Sequence, residues 1–391
     1  MQARATSSKH PMPSLATSRA RRQLLTLAAC SSVGGLAWAK IEPSLKLGQS
    51  LPLTGPLASY GSAKKIGAEI ALAASRAQLH HTFKTIEVQV LDDGYSAQHA
   101  VDNTYKFAKD SSCVGLVGYF GVPIIDQVLP VVEQQKIPLI GMTSGASHIR
   151  SAGYRYGFPV RTSYAQEASK LMDHLITVQQ TRITVLVQGN SFGVEALQGL
   201  QRSVQNKKVL APKIVQLPKD PQALPAALQA ISPESNSIVL LVLSDLAIQI
   251  IPILRKQNKG QALYGLSALD ASLLQAKLGD QAHGIVQTQV VPSPFGATSK
   301  LVRGYTQDMK KYASNHPSSY FGLEGYIEMR IVIEALKRIK SAPSREALRA
   351  AMESLGQIDL DGLDLLYRPN EHRGLQFVEM TVLGGGNTVV R

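Results

Sequence analysis

Short groups of hydroxyl, carboxylate and aromatic side chains follow several predicted strands, and these are the residues best placed to do chemistry. Singly, such residues are ordinary helix caps and turn residues. Open α/β sheets, however, bind ligands at the carboxyl ends of their strands, where hydroxyls and backbone N–H groups hold anions well. Groups on two sheets therefore predict a shared binding cleft. The groups are Tyr60-Gly61, Gly118 to Pro123, Thr143 to Ala146, Asn190 to Gly193, Ser244-Asp245 and Ser267.

The sequence lacks the common catalytic motifs. It has no His-Glu-x-x-His, Gly-x-Ser-x-Gly, Walker or Cys-x-x-Cys pattern. The glycine loop from Gly115 to Gly121 has the wrong spacing for a dinucleotide fingerprint and carries bulky aromatics. His80 and His81 are adjacent and follow a predicted helix, so they are expected to be solvated loop residues and not metal ligands. We therefore predict a binding protein that is not an enzyme and uses no cofactor or metal; a secreted α/β hydrolase is a weaker alternative.

The elements that would position these groups alternate between strand-like and helix-like periods, as βαβ units do. A first set runs from a strand at 45–51 to a strand at 138–141. A second set begins with a helix at 165–178, includes a helix at 221–231 and runs to a strand at 262–266, with a further strand at 284–291. Helices at 299–312, 322–340 and 344–355 follow, with short strands near 363–367 and 376–383. Two similar α/β lobes are predicted, and several direct crossings are expected because no low-complexity linker separates them.

The first forty residues predict export from the cytoplasm. Arg21 and Arg22 precede a run of uncharged residues that ends at Ala37-Trp38-Ala39, a small-x-small cleavage signal. This predicts a signal peptide over residues 1–39, of the twin-arginine type. An alternative is lipidation at Cys30, which follows Leu27-Ala28-Ala29, although only a short apolar run precedes it. We predict a periplasmic protein, without a membrane-spanning segment.

Composition excludes two further classes of protein. Part of the net charge of +13 belongs to the predicted signal, and later basic residues are scattered among acids, so nucleic acid is not an expected partner. Beyond Cys30, the chain has Cys113 alone, within an apolar run, so a disulfide framework is excluded and a buried thiol is expected.

A series of short motifs runs through residues 45 to 391, and their order and spacing are more specific than any one of them. The motifs are 51–56 with Tyr60-Gly61, 91–94, 118–121, 137–140, 143–146, 160–164, Phe192-Gly193 and 323–326. In this order the chain resembles the type I periplasmic binding proteins of the leucine/isoleucine/valine-binding kind, which are extracytoplasmic receptors of ABC importers.

The resemblance implies a fold and its boundaries. The family has two Rossmann-like lobes joined by three crossings, with the ligand held between lobes that close by hinge bending. Carried over, the first lobe is 40–162 plus 290–373, and the second lobe is 163–289 plus 374–391.

The resemblance also implies ligand contacts, with two departures. Val122 and Gly145 stand where amino-acid-binding members fix the ligand carboxylate with hydroxyls, so Thr143, Ser144 and backbone N–H groups at 121–123 and 144–146 would substitute. Ser267 stands near the acid that would pair with the ligand ammonium, a role that Asp245 can take over. The aromatic candidates would suit a flatter or more apolar acid as the ligand; they are Tyr60, Tyr119, Phe120, Tyr164 and Phe192. The predicted ligand-binding residues are Tyr60, Tyr119, Phe120, Gly121, Val122, Thr143, Ser144, Gly145, Tyr164, Phe192, Asp245 and Ser267.

The function that follows is capture of a small organic ligand, namely an amino acid, an amide or an aromatic or short-chain carboxylate. The expected partner is an inner-membrane ABC permease, and the protein is expected to be a monomer. The alternative is a module of the same fold that senses a ligand or regulates a partner and has no transport role.

Overall fold

The alternating periods of the sequence form two mainly parallel sheets. A computed structural model describes residues 44–79, 82–151, 153–257, 260–296, 299–384 and 389–390. The predicted signal, Cys30, His80 and His81 lie outside the described residues.

The first sheet has five strands, all parallel, in the order β2-β1-β3-β4-β5. Every residue of its central strand β3 is buried, as an apolar run covered on both faces requires. The strands are β1 (Ser44–Leu51), β2 (Thr85–Asp92), β3 (Cys113–Phe120), β4 (Leu139–Thr143) and β5 (Gly157–Phe158). The helices between them are α1 (Ala58–Leu79), α2 (Ala97–Lys109) and α3 (Val122–Gln135).

The second sheet has the order β15-β14-β10-β9-β8-β6-β7. Strands β6 to β10 pair in parallel, whereas β14 and β15 are antiparallel additions at one edge. Its strands are β6 (Ile183–Gln188), β7 (Lys213–Leu217), β8 (Ser237–Leu241), β9 (Ala262–Gly265), β10 (Val286–Gln289), β14 (Glu379–Leu383) and β15 (Val389–Val390). Its helices are α4 (Tyr164–Thr177), α5 (Ser191–Asn206), α6 (Leu224–Leu228), α7 (Ser244–Gln257) and α8 (Ala271–Leu278).

The chain passes between the two sheets three times: after β5, after β10 and before β14. Between the last two passages it adds three helices and a small antiparallel sheet that pack on the first sheet. These are α9 (Lys300–Tyr312), α10 (Tyr320–Leu336), α11 (Arg345–Glu353), β11 (Gly356–Asp359), β12 (Asp364–Arg368) and β13 (Glu371–Leu375). We call the first sheet with α1–α3, α9–α11 and β11–β13 the first lobe, and the rest the second lobe. The predicted fold class, with its three crossings, is confirmed; the lobe boundaries by residue number stay a prediction.

A helix is shorter than its sequence pattern predicts. The segment expected as a helix at 221–231 forms a 3-10 turn at Pro221–Ala223 and then α6. Pro225 lacks an N–H and is tolerated only in the first turn of an α-helix, so α6 begins just before it.

Helices α1 and α10 approach each other very closely. A Cβ on Gly67 would lie 1.9 Å from the carbonyl oxygen of Gly322, and one on Gly325 would lie 2.4 Å from that of Lys64. Only glycine permits this backbone contact. It brings the polar side chains of α10 against those of α1 beneath the end of the first sheet.

Candidate functional site

Aromatic residues from three strand ends of the first lobe form one cluster. The ring centroids of Tyr60 and Phe120 are 5.0 Å apart, and Phe120 lies 6.0 Å from the ring of Tyr95, which follows β2. Phe321, at the start of α10, packs 4.6 Å from Tyr60. The prediction named Tyr60 and Phe120; Tyr95 and Phe321 were missed. Tyr95 follows the predicted second strand, so its position at a strand end was a usable signal.

Gly121 and Val122 lie where β3 passes into α3. Gly121 has a φ of 99°, and a Cβ there would lie 2.5 Å from the ring of Tyr95. Both facts favour glycine. The Gly121 N–H donates to the carbonyl of Thr143 at 3.1 Å and so ties the ends of β3 and β4 together. Val122 is buried as the first residue of α3.

Thr143, Ser144 and Gly145 form the end of β4, and their polar atoms are largely engaged within the protein. The Thr143 hydroxyl donates to Glu324 Oε1 at 3.2 Å. The Ser144 N–H donates to the carbonyl of Met142 at 2.7 Å, and Ser144 Oγ accepts from the N–H of the residue two positions on. The Gly145 carbonyl accepts from the N–H of Tyr164 at 2.8 Å, which ties this turn to the second lobe.

The expected set of backbone donors is therefore reduced. The N–H groups of Gly121, Ser144 and Ala146 already have acceptors within the protein, and Pro123 has no N–H. In the first lobe, these positions offer a ligand fewer hydrogen-bond donors than the sequence suggests.

Tyr119 is placed apart from the other aromatic candidates. Neighbouring residues of a strand point to opposite faces, so Tyr119 faces away from the side that Phe120 occupies. Its hydroxyl lies 3.1 Å from Thr104 Oγ1 on α2, and both residues are buried. The structure thus places Tyr119 in the core beneath α2.

The second-lobe candidates lie at helix starts. Tyr164 and Phe192, near the starts of α4 and α5, pack with ring centroids 5.3 Å apart. Burial raises the pKa of Tyr164 to about 12. The Asn190 side chain accepts from the N–H of Gly193 at 2.9 Å and caps α5. Asp245 lies in the first turn of α7, and its Oδ1 is buried without a hydrogen-bond partner.

Tyr60 joins the two lobes directly. Its hydroxyl lies 2.6 Å from the Oγ of Ser244 and 3.2 Å from the carbonyl of Ala268, and it accepts from the Ser244 N–H at 3.3 Å. The side chain is fully buried, and burial raises its pKa. The strand ends of the two lobes therefore meet in a closed arrangement.

Beneath the strand ends lies a buried group of charged residues on α1 and α10. The ammonium of Lys64 lies 2.8 Å from Glu328 Oε1 and 3.7 Å from Glu324 Oε1. All three side chains are at most 3% exposed. Burial raises the pKa of Glu328, while the neighbouring Lys64 opposes this rise and Glu324 adds to it.

Arg161 connects this group to the second lobe. Its guanidinium lies 3.9 Å from Glu324 and, on the other side, 3.9 Å from Glu167 of α4. It also donates to the hydroxyl of Ser267. Burial lowers the pKa of Arg161, but the carboxylates of Glu324 and Glu167 outweigh that effect and raise it.

Glu167 holds the segment after β9 and strand β10 of the second sheet together. Its Oε2 accepts from the Ser267 N–H at 2.9 Å and from the Thr288 hydroxyl at 2.6 Å, while its Oε1 is buried without a hydrogen-bond partner. We call Lys64, Arg161, Glu167, Glu324 and Glu328 the buried ionic network.

The buried ionic network is not among the residues that the sequence predicts as a site. A signal was present, because Glu324 and Glu328 stand four residues apart, and hence on one face, in a helix α10 whose other residues up to Met329 are uncharged. Lys64 is likewise buried in α1, where the sequence pair Lys64-Lys65 suggests a solvated face. Of these two lysines, Lys65 is partly exposed and Lys64 is not.

Neither a metal centre nor a membrane span is found in the described ranges. Within them, no group of three or more His, Cys, Asp and Glu is placed to hold a metal ion. Among the described helices, none is both long and apolar enough to cross a membrane. Cys113 is buried with a free thiol, and burial raises its pKa to about 11.

The chain matches a family model and several solved structures. A comparison with proteins of curated function gave no match. A possible leucine/isoleucine/valine-binding protein from Rhodopirellula baltica SH 1 is 28% identical, with a TM-score of 0.83, and the match covers 90% of this chain and 97% of that one. A substrate-binding periplasmic protein from Ralstonia solanacearum is 25% identical, with a TM-score of 0.78 and coverage of 88% and 99%.

An extracellular ligand-binding receptor from Verminephrobacter eiseniae ef01-2 shares the fold at 24% identity, with a TM-score of 0.82 and coverage of 89% and 100%. A family model described as periplasmic binding protein matches residues 44–386, which is most of the chain. The chain therefore belongs to the periplasmic binding protein family.

Proposed function

We propose that this protein captures a small organic ligand between its two lobes and delivers it to an ABC importer in the inner membrane. Membership of the family gives the chain a solute-binding role and an extracytoplasmic location. The observation that carries the proposal is the meeting of strand ends from both sheets, where the Tyr60 hydroxyl of the first lobe lies 2.6 Å from Ser244 of the second. A ligand bound there is enclosed when the lobes close.

The proposed ligands are amino acids, amides and aromatic or short-chain carboxylates. Aromatic rings from both lobes supply apolar contact area, and hydroxyls at the strand ends supply polar contacts. The Rhodopirellula baltica protein is named as a possible leucine/isoleucine/valine-binding protein, which supports ligands of amino-acid size.

The proposed contacts come from both lobes, with Tyr119 acting as a support beneath α2. We add Tyr95 to those that the sequence suggests, because its ring covers Gly121 and packs near Phe120. The proposed contacts are Tyr60, Tyr95, Phe120, Gly121, Val122, Thr143, Ser144, Gly145, Tyr164, Phe192, Asp245 and Ser267.

Further parts of the proposal concern the mature protein. Residues 1–39 are removed after export to the periplasm, in preference to lipidation at Cys30, and the mature protein acts as a monomer. It binds without catalysis, because the Rhodopirellula baltica and Ralstonia solanacearum proteins that it resembles are named as binding proteins.

Thermal unfolding tests the proposed function. The purified protein is unfolded against a panel of amino acids, amides, aromatic and aliphatic acids, sugars and polyamines. A ligand at about 100 times its dissociation constant should stabilise the protein by about 2.7 kcal/mol. If no compound shifts the unfolding temperature, the proposal of transport fails and the regulatory alternative takes its place. Turnover of esters or amides would contradict the absence of catalysis.

A further inference from the structure

We infer that Glu324 and Arg161 are positioning residues that fix the hydrogen-bonding direction of two ligand contacts, one in each lobe. Thr143 is held as an acceptor and Ser267 as a donor, which is the reverse of the roles that the family resemblance implies for these two positions. A ligand that contacts both must offer an N–H or ammonium donor to Thr143 and an acceptor to Ser267, so it is an amino acid or an amide and not a plain carboxylate. This inference rests on the proposed function, since it concerns the same site.

The Thr143 hydroxyl already uses its proton in a hydrogen bond within the protein. Its hydroxyl donates to Glu324 Oε1 at 3.2 Å, and a hydroxyl has a single proton to give. The oxygen of Thr143 keeps its lone pairs, so towards a ligand this side chain is an acceptor.

Ser267 is oriented in the opposite sense. Its Oγ accepts from the guanidinium of Arg161, which has donors and no acceptor. The proton of the Ser267 hydroxyl is therefore left to point elsewhere, and towards a ligand this side chain is a donor.

Charge keeps both directions from reversing. Glu324 lies between two buried cations, with Lys64 at 3.7 Å and Arg161 at 3.9 Å, and its Oε1 accepts the hydrogen bond from Thr143. Rotating the Thr143 proton away would leave this buried oxygen without the hydrogen bond, which is costly. Glu324 and Arg161 thus fix the hydrogen-bonding directions of the Thr143 and Ser267 hydroxyls together, because Arg161 contacts both Glu324 and Ser267.

The polarity selects among the proposed ligand classes. A plain carboxylate offers only acceptors, so its oxygens meet the lone pairs of Thr143 with no proton between them. An amide N–H or an ammonium supplies that proton, and the carbonyl or carboxylate oxygen of the same ligand can accept from Ser267. The hydroxyl of Ser144 accepts from the Ala146 N–H and keeps its own proton, so it also serves a ligand acceptor.

Matched compounds test the inference. The affinities of isovalerate, isovaleramide and leucine, and of phenylacetate, 2-phenylacetamide and phenylalanine, are measured by calorimetric titration of the wild-type protein. In at least one series the N–H-bearing members should bind at least about tenfold more tightly than the carboxylate, as one hydrogen bond implies. In Glu324→Gln this preference should weaken, because an amide can donate as well as accept at Thr143.

Glu328→Gln is the matched control. It removes the same charge from the same helix one turn later, and Glu328 bonds to Lys64 and not to Thr143. The Glu328→Gln protein should prefer the N–H-bearing compounds over the carboxylates as strongly as the wild type does, even if its stability falls. Should Glu324→Gln fail to fold, Thr143→Val removes the acceptor itself and should abolish the preference.

The outcomes separate the inference from the proposed function. If the carboxylates bind and their amides and amino acids do not, solute binding stands and the inference is overturned. An unchanged preference in folded Glu324→Gln and Thr143→Val also overturns it. If none of the six compounds binds and the wider panel gives no shift, the proposed function fails and the inference falls with it.

Discussion

The hydroxyl of Tyr60 on α1 lies 2.6 Å from the Oγ of Ser244 on α7, and the two residues belong to different lobes. Ser244 Oγ also accepts from the N–H of Asp270 at 2.8 Å, so the contact is held on a fixed part of the second lobe. Closure of the lobes therefore depends on specific hydrogen bonds as well as on packing of apolar surfaces.

Removing the Tyr60 hydroxyl should favour an open arrangement of the lobes. Tyr60→Phe keeps the ring packing and removes both the hydrogen bond that Tyr60 donates to Ser244 Oγ and the one that it accepts from the Ser244 N–H, at a cost of about 1 kcal/mol to the closed form. Small-angle scattering should show a larger radius of gyration than for the wild type. Tyr119→Phe is the control, because its hydroxyl bonds to Thr104 within one lobe, and its radius should be unchanged. Equal radii for all three proteins would show that Tyr60 does not hold the lobes together.

Removing the guanidinium of Arg161 should strongly destabilise the fold. Arg161→Met leaves the carboxylates of Glu167 and Glu324 buried without this cation, and breaking a buried pair in this way costs about 3 to 5 kcal/mol. Urea denaturation measures the loss. Arg182→Met, which removes an exposed guanidinium that donates to the carbonyl of Glu234, should cost less than about 1 kcal/mol. Similar losses for the two variants would mean that the buried ionic network contributes little.

Glu328 should make the stability of the protein depend on pH. Burial raises the pKa of its carboxyl group in the folded state, so the folded protein holds this proton more tightly than the unfolded chain does. Its contribution is fully present at acidic pH and is lost as the pH rises from about 4.5 towards and through the raised pKa.

Comparison of variants isolates that contribution. The free energy of unfolding of the wild type minus that of Glu328→Gln should be larger at pH 5 than at pH 8. For Glu69→Gln, whose side chain is half exposed, the difference should stay nearly constant. A difference for Glu328→Gln that grows with pH would mean that the carboxyl group has a lowered pKa in the folded protein.

Much of the fold follows from local patterns in the sequence. The apolar run of β3 and the amphipathic helices between strands carry their own periodicity, so their positions are predicted within a few residues. Elements with little local signal were missed. Strand β5 has only two residues, and β11 and β13 depend on pairing with β12 across a distance in sequence.

The candidate site is less accessible to such reasoning, because its chemistry depends on which residues meet in space. Thr143 is recognisable as a strand-end hydroxyl, but its hydrogen bond to Glu324 joins residues 181 positions apart. The same applies to Arg161 and Ser267, which are 106 positions apart. Residue types suggest where a ligand binds, whereas the direction of each hydrogen bond requires the fold.

Titration of variants from both lobes tests the central claim that the ligand lies between them. The compound that gives the largest thermal shift is titrated into Thr143→Val of the first lobe and Ser267→Ala of the second, with Ser203→Ala of α5 as a control. The account predicts that both cleft variants bind about 1 to 3 kcal/mol more weakly and that the control binds as the wild type does. Unchanged affinity in both cleft variants would contradict it and place the ligand elsewhere.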